Sequence, residues 1–427
     1  MGDIYLSQHW HFYQPRNNDF WARIIDKECY EPNSKNGILD HVSFNVGPTL
    51  IEWFEKNSPQ TLQNILEADH GHAIAQPYNH RILPLTRYDE DLKTQIFWGK
   101  EHFKKYFSRY PRGMWLSEAA TDIRTSKELV NQNIEYTIGA SWQGKKSNGD
   151  NLDLSKAYNV NLSDGQSIIY FFFHPISADI AFNSNAINDT RFLDNADVAV
   201  QKVVDVAKDN SHILLAYDGE TFGHHHKMAD KWASYFPQAV DKHPGAKMIT
   251  LDEYIDEIGV YDSAELVEKS SWSCLCGNLE RWTVGCNCSG GPRNYQKELL
   301  DVLEHQEDMV HDIFYDHASK LINDVWDARN DYVNVLLGNS SFNSMIKKYQ
   351  KGKLSTHKLE RLKNLFEAEY FTQLSFTSCG WFFSDVNIQT KNNIKDAHNA
   401  SKKIKKSIGL DISKELYRLD WMLNCGD

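Results

Sequence analysis

The chain of 427 residues carries 46 Lys and Arg against 58 Asp and Glu, a net charge of −12, with 41% hydrophobic and 24% charged residues. That balance excludes a disordered chain, and its acidic sign excludes nucleic acid as the main partner, since phosphate binding draws on a basic surface. The length predicts two or three structural units, and 12 Trp, 20 Tyr and 21 Phe mean that some rings must line a site or meet solvent.

At the start, Met-Gly-Asp-Ile-Tyr-Leu shows no basic region followed by an apolar stretch, so no export signal is expected. The longest apolar run, Ile168–Phe173, is far too short to span a bilayer. Seven cysteines, an odd number, favour a reducing cytoplasm. The expectation is therefore a cytoplasmic protein without a membrane partner.

Up to about residue 260, short apolar runs alternate with helical patterns. Expected strands are Ile4–Gln8, Ala73–Gln76, Gly113–Leu116, Tyr136–Gly139, Ser167–Phe173, Ile213–Tyr217 and Lys247–Thr250. Several are apolar on both faces, as parallel strands covered on two sides must be. Between them lie expected helices Leu92–Phe107, Ser126–Asn131, Ala196–Asp209 and Asp230–Asp241, with capping boxes at Thr125/Glu128 and Thr250/Glu253. Seven strands alternating with helices predict an α/β barrel. A Gly- and Cys-rich stretch, Ser270–Arg293, then leads to helical periodicity at Gln296–Ala318, Lys358–Gln373, Asn392–Ser407 and Ile412–Asn424. The expected organisation is a barrel over residues 1–262, a connecting segment over 263–295 and an all-helical domain over 296–427.

Three clusters in the barrel carry candidate chemistry. His9, His11 and Gln14 follow the first strand, where a barrel places its site rim; a metal pair or plain aromatic packing are the alternatives. Glu118 follows the buried run Gly113–Leu116, and Glu is seldom buried without a partner or a task. Asp218 ends the strand Ile213–Tyr217, with Glu220 close behind and Gly219 and Gly223 allowing a tight backbone beside a ligand. The adjacent His224, His225 and His226 cannot all face one ion, and helical metal pairs sit at i, i+4.

Two carboxylates on separate barrel strands suit glycoside hydrolysis, in which one attacks the anomeric carbon and the other protonates the leaving oxygen. The acid must hold its proton near neutral pH, through burial or a neighbouring negative charge. Glu118 would supply that charge to Asp218, and Glu220 would add to it.

Taken in order, His9-Trp10-His11-Phe12-Tyr13-Gln14-Pro15, Gly71–Gln76 with Asn79–Leu85, Met114–Glu118, Asp218–His224, Ser271–Cys274, Glu280–Trp282 and Ser378–Phe383 resemble glycoside hydrolase family 57. The closer likeness is to its subgroup with a C-terminal domain of unknown function 3536. That family comprises α-glucan-active amylases, glucanotransferases and branching enzymes. The resemblance implies a (β/α)7 barrel followed by an all-helical C-terminal domain that completes the cleft. It further implies a retaining double displacement, an oligo- or polysaccharide substrate and no obligatory cofactor. By it, Glu118 is the nucleophile and Asp218 the acid/base. His9, His11, Gln14, His80, Trp115, Glu220, His224, Arg281, Trp282 and Trp381 are candidate substrate-binding residues, with Trp10 a further ring for stacking on sugar. The chain departs from the family pattern at Phe12 and Tyr13, which interrupt a His-Gln-Pro, at Gln76 in place of Glu, and at Ser117 in place of Pro.

Cys274, Cys276, Cys286 and Cys288 stand apart from this reading. Cys-x-Cys, nine residues and Cys-x-Cys offer four thiolates for a structural zinc, although the pairs are tighter than the usual spacing. Inert reduced thiols or an oxidised disulfide are the alternatives. Two rival functions are a metal-dependent deacetylase-like hydrolase using Asp218 and neighbouring histidines, and a non-catalytic glycan-binding protein on the same barrel.

Overall fold

The structure, a computed structural model, describes residues 3–182, 192–207, 211–276, 278–288 and 295–425. They form two compact units, Met1–Gln76 with Tyr106–Trp272, and Pro77–Lys105 with Ser273–Asp427. No helix among the described residues is long and apolar enough to cross a membrane.

The first unit carries the strands β1 (Ile4–Phe12), β2 (Ser43–Val46), β3 (Gly113–Met114), β4 (Tyr136–Ala140) and β5 (Gly144–Lys145). The series continues with β6 (Tyr158–Asn161), β7 (Ser167–Phe173), β8 (Ser211–Asp218), β9 (Ala246–Met248) and β10 (Asp262–Leu266). β8, β1 and β2 run parallel, so that His11 lies opposite both Asp218 and Asn45. Parallel bridges from Phe44 to Ala73 and from Ala75 to Met114 carry the pairing onward. β3, β4 and β7 follow in parallel. The His174 N–H donates to the Leu214 carbonyl of β8 at 2.8 Å, closing a ring of seven stretches. This is the (β/α)7 barrel expected, with two differences in its staves.

Ser43–Val46 takes a place in the ring, whereas Ala246–Met248 only pairs with the beginning of β1. The sequence conceals β2 because Ser43 and Asn45 alternate with Phe44 and Val46 and are all buried; a polar side chain turned into a barrel does not read as an apolar stave. Ala73–Gln76 contributes isolated bridges rather than a regular strand. β6 pairs antiparallel with β7, and β10 and β5 extend that edge. Their alternation of polar and apolar residues, as in Asp-Ser-Ala-Glu-Leu, marks a half-exposed surface. At the helix starts, Thr250 and Glu253 form the expected box. The helix Ile123–Asn131, in contrast, is capped by Asp122, whose carboxylate accepts the Thr125 N–H at 2.7 Å. Asp at that position displaces the Thr125/Glu128 box by starting the helix earlier. The helix Phe192–Val206 covers most of the expected Ala196–Asp209, whose last residues lie outside the described ones.

The second unit is helical: Tyr295–Ala318, Thr356–Leu374 and Ile388–Ile408 are its long members. The expected terminal helix resolves into a 3-10 turn, Lys414–Leu419, and a short helix, Asp420–Leu423. Most of the helix Asp89–Phe107 belongs here rather than to the barrel. Trp98 explains why: it is fully buried in one core with Val310, Phe314, Ala328, Leu362 and Phe366, and its indole N–H donates to the Asn330 carbonyl at 3.0 Å. An interior Trp ties a helix to whichever core surrounds its ring.

Candidate active site

Glu118 sits four residues past the end of β3, buried, in the turn Ser117–Ala119. Its backbone is left-handed, φ 57° and ψ 24°, and Ala119 follows at φ 46°. Holding a non-glycine residue there costs on the order of 1–3 kcal/mol, and such strain survives only where the surroundings enforce it. They do so here: the Glu118 carbonyl accepts the Trp272 N–H at 3.1 Å, and the Ala119 carbonyl accepts from Gln143 Nε2 at 2.8 Å.

Asp218 is the last residue of β8, accessible to solvent yet crowded by protein. Desolvation raises its carboxyl well above the ordinary range, and the charges of Glu220 and Glu118 raise it further. No cation pairs with Asp218 or Glu220 among the described residues. Glu220 accepts instead from the Tyr30 hydroxyl and from Gln14 Nε2. Its own pKa is raised by burial, against which those two hydrogen bonds act.

The floor beside these carboxylates is aromatic and uncharged. Burial pushes His9 down to about 3 and His11 down to about 4, so both rings are neutral at physiological pH. Asn45 holds both rings: its Nδ2 and Oδ1 lie 3.0 and 3.2 Å from His11 Nδ1, its Oδ1 lies 3.0 Å from His9 Nε2, and its Nδ2 donates to Gln76 Oε1 at 2.7 Å. The Trp115 ring stacks on both imidazoles at 5.0 Å and meets Trp272 edge-on at 4.9 Å.

The barrel thus gathers His9, His11, Gln14, Trp115, Glu118, Asp218 and Glu220 at the C-terminal ends of β1, β3 and β8. Several expected roles change. Trp115 is fully buried, stacked on His9 and His11, and forms the floor instead of a sugar platform. Trp10 points the other way and stacks on Phe222 at 4.3 Å, inside the core. Gly219 and Gly223 serve packing rather than a ligand: a Cβ would lie 2.0 Å from the Phe12 ring at the first and 2.0 Å from the Glu28 carbonyl oxygen at the second. His224 Nδ1 is 2.6 Å from the Glu28 carboxylate, and His226 Nε2 is 2.6 Å from the Ala181 carbonyl, so these two members of the triplet are committed elsewhere than to an ion at Asp218.

His80, Arg281, Trp282 and Trp381 belong to the second unit. There His80, at φ 54°, has Nδ1 2.7 Å from the Ser378 hydroxyl. Arg281 donates to the Phe382 carbonyl at 3.1 Å. Trp282 and Trp381, both buried, line a small apolar cavity with Arg81, Phe376 and Leu300. Sequence reasoning missed Asn45 and Tyr30, for which the polar residues in Ser-Phe-Asn-Val and the distance of Tyr30 from any motif left little signal.

Comparison with known proteins agrees with this architecture. The protein-family model for glycosyl hydrolase family 57 matches residues 4–266, and that for a domain of unknown function, DUF3536, matches residues 294–419. No curated protein sequence matches. Among solved structures, an exo-type maltose-forming amylase from Pyrococcus sp. ST04 superposes with a TM-score of 0.79 at 14% identity, over 97% of this chain and 82% of that one. A branching enzyme from Pyrococcus horikoshii gives 0.67 at 15%, over 99% and 95%. An α-amylase from Thermotoga maritima gives 0.61 at 15%, over 99% and 97%. At these identities the structures establish a common fold, and the family match, which spans more than half of the sequence, establishes the lineage: the chain belongs to glycosyl hydrolase family 57 and is a glycoside hydrolase or transglycosylase.

Proposed function

We propose that Glu118 is the nucleophile and Asp218 the acid/base of a retaining double displacement on an α-linked glucan. The observation that carries the assignment is the raised carboxyl of Asp218, with Glu118 close enough for its charge to contribute to the shift. Asp218 is raised by desolvation and by the charges of Glu220 and Glu118, so it enters the reaction protonated. Glu118 attacks the anomeric carbon as the bond to the leaving oxygen breaks, and the Asp218 proton passes to that oxygen. Asp218, now a carboxylate, takes a proton from water or from an acceptor hydroxyl. The incoming oxygen then displaces Glu118 with a second inversion. Two carboxylates suffice, and no step requires a cofactor.

The neutral histidines support this reading. An imidazolium beside Asp218 would lower its pKa and discharge the acid early, whereas buried neutral rings leave it raised. The amylase and branching activities of the structural neighbours favour an α-glucan oligo- or polysaccharide. The odd number of cysteines favours work in a reducing cytoplasm. The test is product analysis on malto-oligosaccharides, glycogen and other α-glycosides. Products with retained anomeric configuration, absent in Glu118→Gln, are expected; an inverted product, or none from any α-glucan, contradicts the proposal.

A further inference from the structure

The Gly- and Cys-rich segment carries four cysteines that are not among the residues gathered around Glu118 and Asp218. Its four thiols meet. The sulfurs of Cys274, Cys276, Cys286 and Cys288 all lie within 4.8 Å of one another. Cys274 is 3.7 Å from Cys286 and 3.9 Å from Cys288, and Cys276 is 2.9 Å from Cys288. We propose that these four cysteines form a tetrahedral zinc site that holds the turn bearing Arg281 and Trp282.

Ligand count and geometry both point to zinc. Four thiolates at about 2.3 Å from one zinc ion stand about 3.8 Å apart from each other in a tetrahedron. Two of the three closest separations match that value, and the third involves the two exposed sulfurs, whose side chains have room to part. Disulfides would sort the sulfurs two and two. Here Cys274 approaches both Cys286 and Cys288, and Cys288 approaches both Cys274 and Cys276, which is the connectivity of one shared centre. The Cys-x-Cys pairs are closer in sequence than usual zinc ligands, and the local backbone shows how they are accommodated. Asn278 and Leu279 are consecutively left-handed, at φ 49° and 55°, and Gly285 follows at φ 83°. These turns let both pairs reach one point.

The surroundings fit a ligand set. Cys274 and Cys286 are buried while Cys276 and Cys288 are exposed, leaving the ion a route in from solvent. Between Cys276 and Cys286 the only regular element among the described residues is the 3-10 turn Glu280–Trp282. Leu279, Arg281 and Trp282 are buried there, Arg281 donates to the Phe382 carbonyl at 3.1 Å, and the Gly285 N–H donates to the Glu280 carbonyl at 2.7 Å. A cross-link between the flanking cysteine pairs would close the loop that carries these anchors. The inference is independent of the catalytic assignment.

The test is elemental analysis of the full chain, purified under reductant without chelator and then equilibrated with zinc. About one zinc per chain is expected, with at least a roughly ten-fold loss in the double variant Cys276→Ser, Cys288→Ser, whose exposed positions spare the core. Chelation should raise the number of thiols open to a thiol reagent by about four. Zinc below about a tenth per chain in the equilibrated protein overturns the proposal, as does stoichiometric iron in its place, a Cys276–Cys288 disulfide in the reduced preparation, or undiminished zinc in the variant. Should the variant fail to fold, cobalt(II) substitution of the unaltered chain decides: a thiolate-to-cobalt charge-transfer band is expected, and its absence overturns the site.

Discussion

Each unit holds a cluster of three carboxylates, and the two clusters are built in opposite ways. In the helical unit Asp91, Glu307 and Glu369 are completely buried, but every one has a cation. Arg329 Nη1 lies 2.6 Å from Asp91 and 2.8 Å from Glu369, Arg81 Nη1 lies 2.7 Å from Glu307, and the His311 ring lies 2.9 Å from Asp91 and 3.1 Å from Glu369. Burial alone would raise Asp91, yet His311 and Arg329 hold it well below the ordinary range. Against the same burial, Asp91 and Glu369 hold His311 well above its usual value. In the barrel, Asp218 and Glu220 have no such counter-charges, and the result is a raised acid. Between Asp91 and Asp218, it is the presence or absence of balancing cations, and not burial, that sets the direction in which the carboxyl is shifted.

The comparison can be broken at either end. The largest expected effect is in the barrel: Glu118→Gln should lower turnover by about 10³-fold or more while sugar binding persists, measured by steady-state kinetics and calorimetry. Asp218→Asn should cost somewhat less, about 10²–10⁴-fold, and least for substrates whose leaving group needs no proton. In the helical unit, Arg329→Met should leave the charges of Asp91 and Glu369 undercompensated and lower unfolding stability by about 3–5 kcal/mol in denaturant titration. A neutral outcome there would show that the network does not stabilise its unit.

Two pH predictions are smaller. Glu220→Gln removes one negative neighbour of Asp218, so the alkaline limb of kcat/KM should move to lower pH, because the acid loses its proton earlier. Glu307 is raised by burial from 4.5 to about 7, Arg81 only partly offsetting it. A carboxyl raised on folding binds more protons in the native state, so its contribution declines as pH rises from 4.5 through 7. Glu307→Gln should flatten that part of the stability–pH curve, and an unchanged slope would remove Glu307 as its source.

Much of the barrel was legible because its staves are apolar on both faces, as in Ile-Leu-Leu-Ala-Tyr at 213–217, and because Glu118 and Asp218 interrupt that apolarity at strand ends. Ser43–Val46 was not, because an inward Asn reads as polar and exposed until the ring around it is known. The roles of Trp10 and Trp115 were illegible for a similar reason: a Trp beside a motif looks the same in sequence whether its face meets sugar or another ring. Asp91, Glu307, Arg329 and Glu369 carried no signal at all. They are ordinary charged residues of helices, brought together only by packing.

The most direct measurement is to trap the intermediate. Incubating the protein with a slow fluorinated α-glucosyl donor and mapping the adduct by peptide mass spectrometry should place one glycosyl ester on Glu118, at a level that increases in Asp218→Asn. An adduct on Asp218 or Glu220, or turnover of the donor with Glu118 replaced by Gln, would contradict the account.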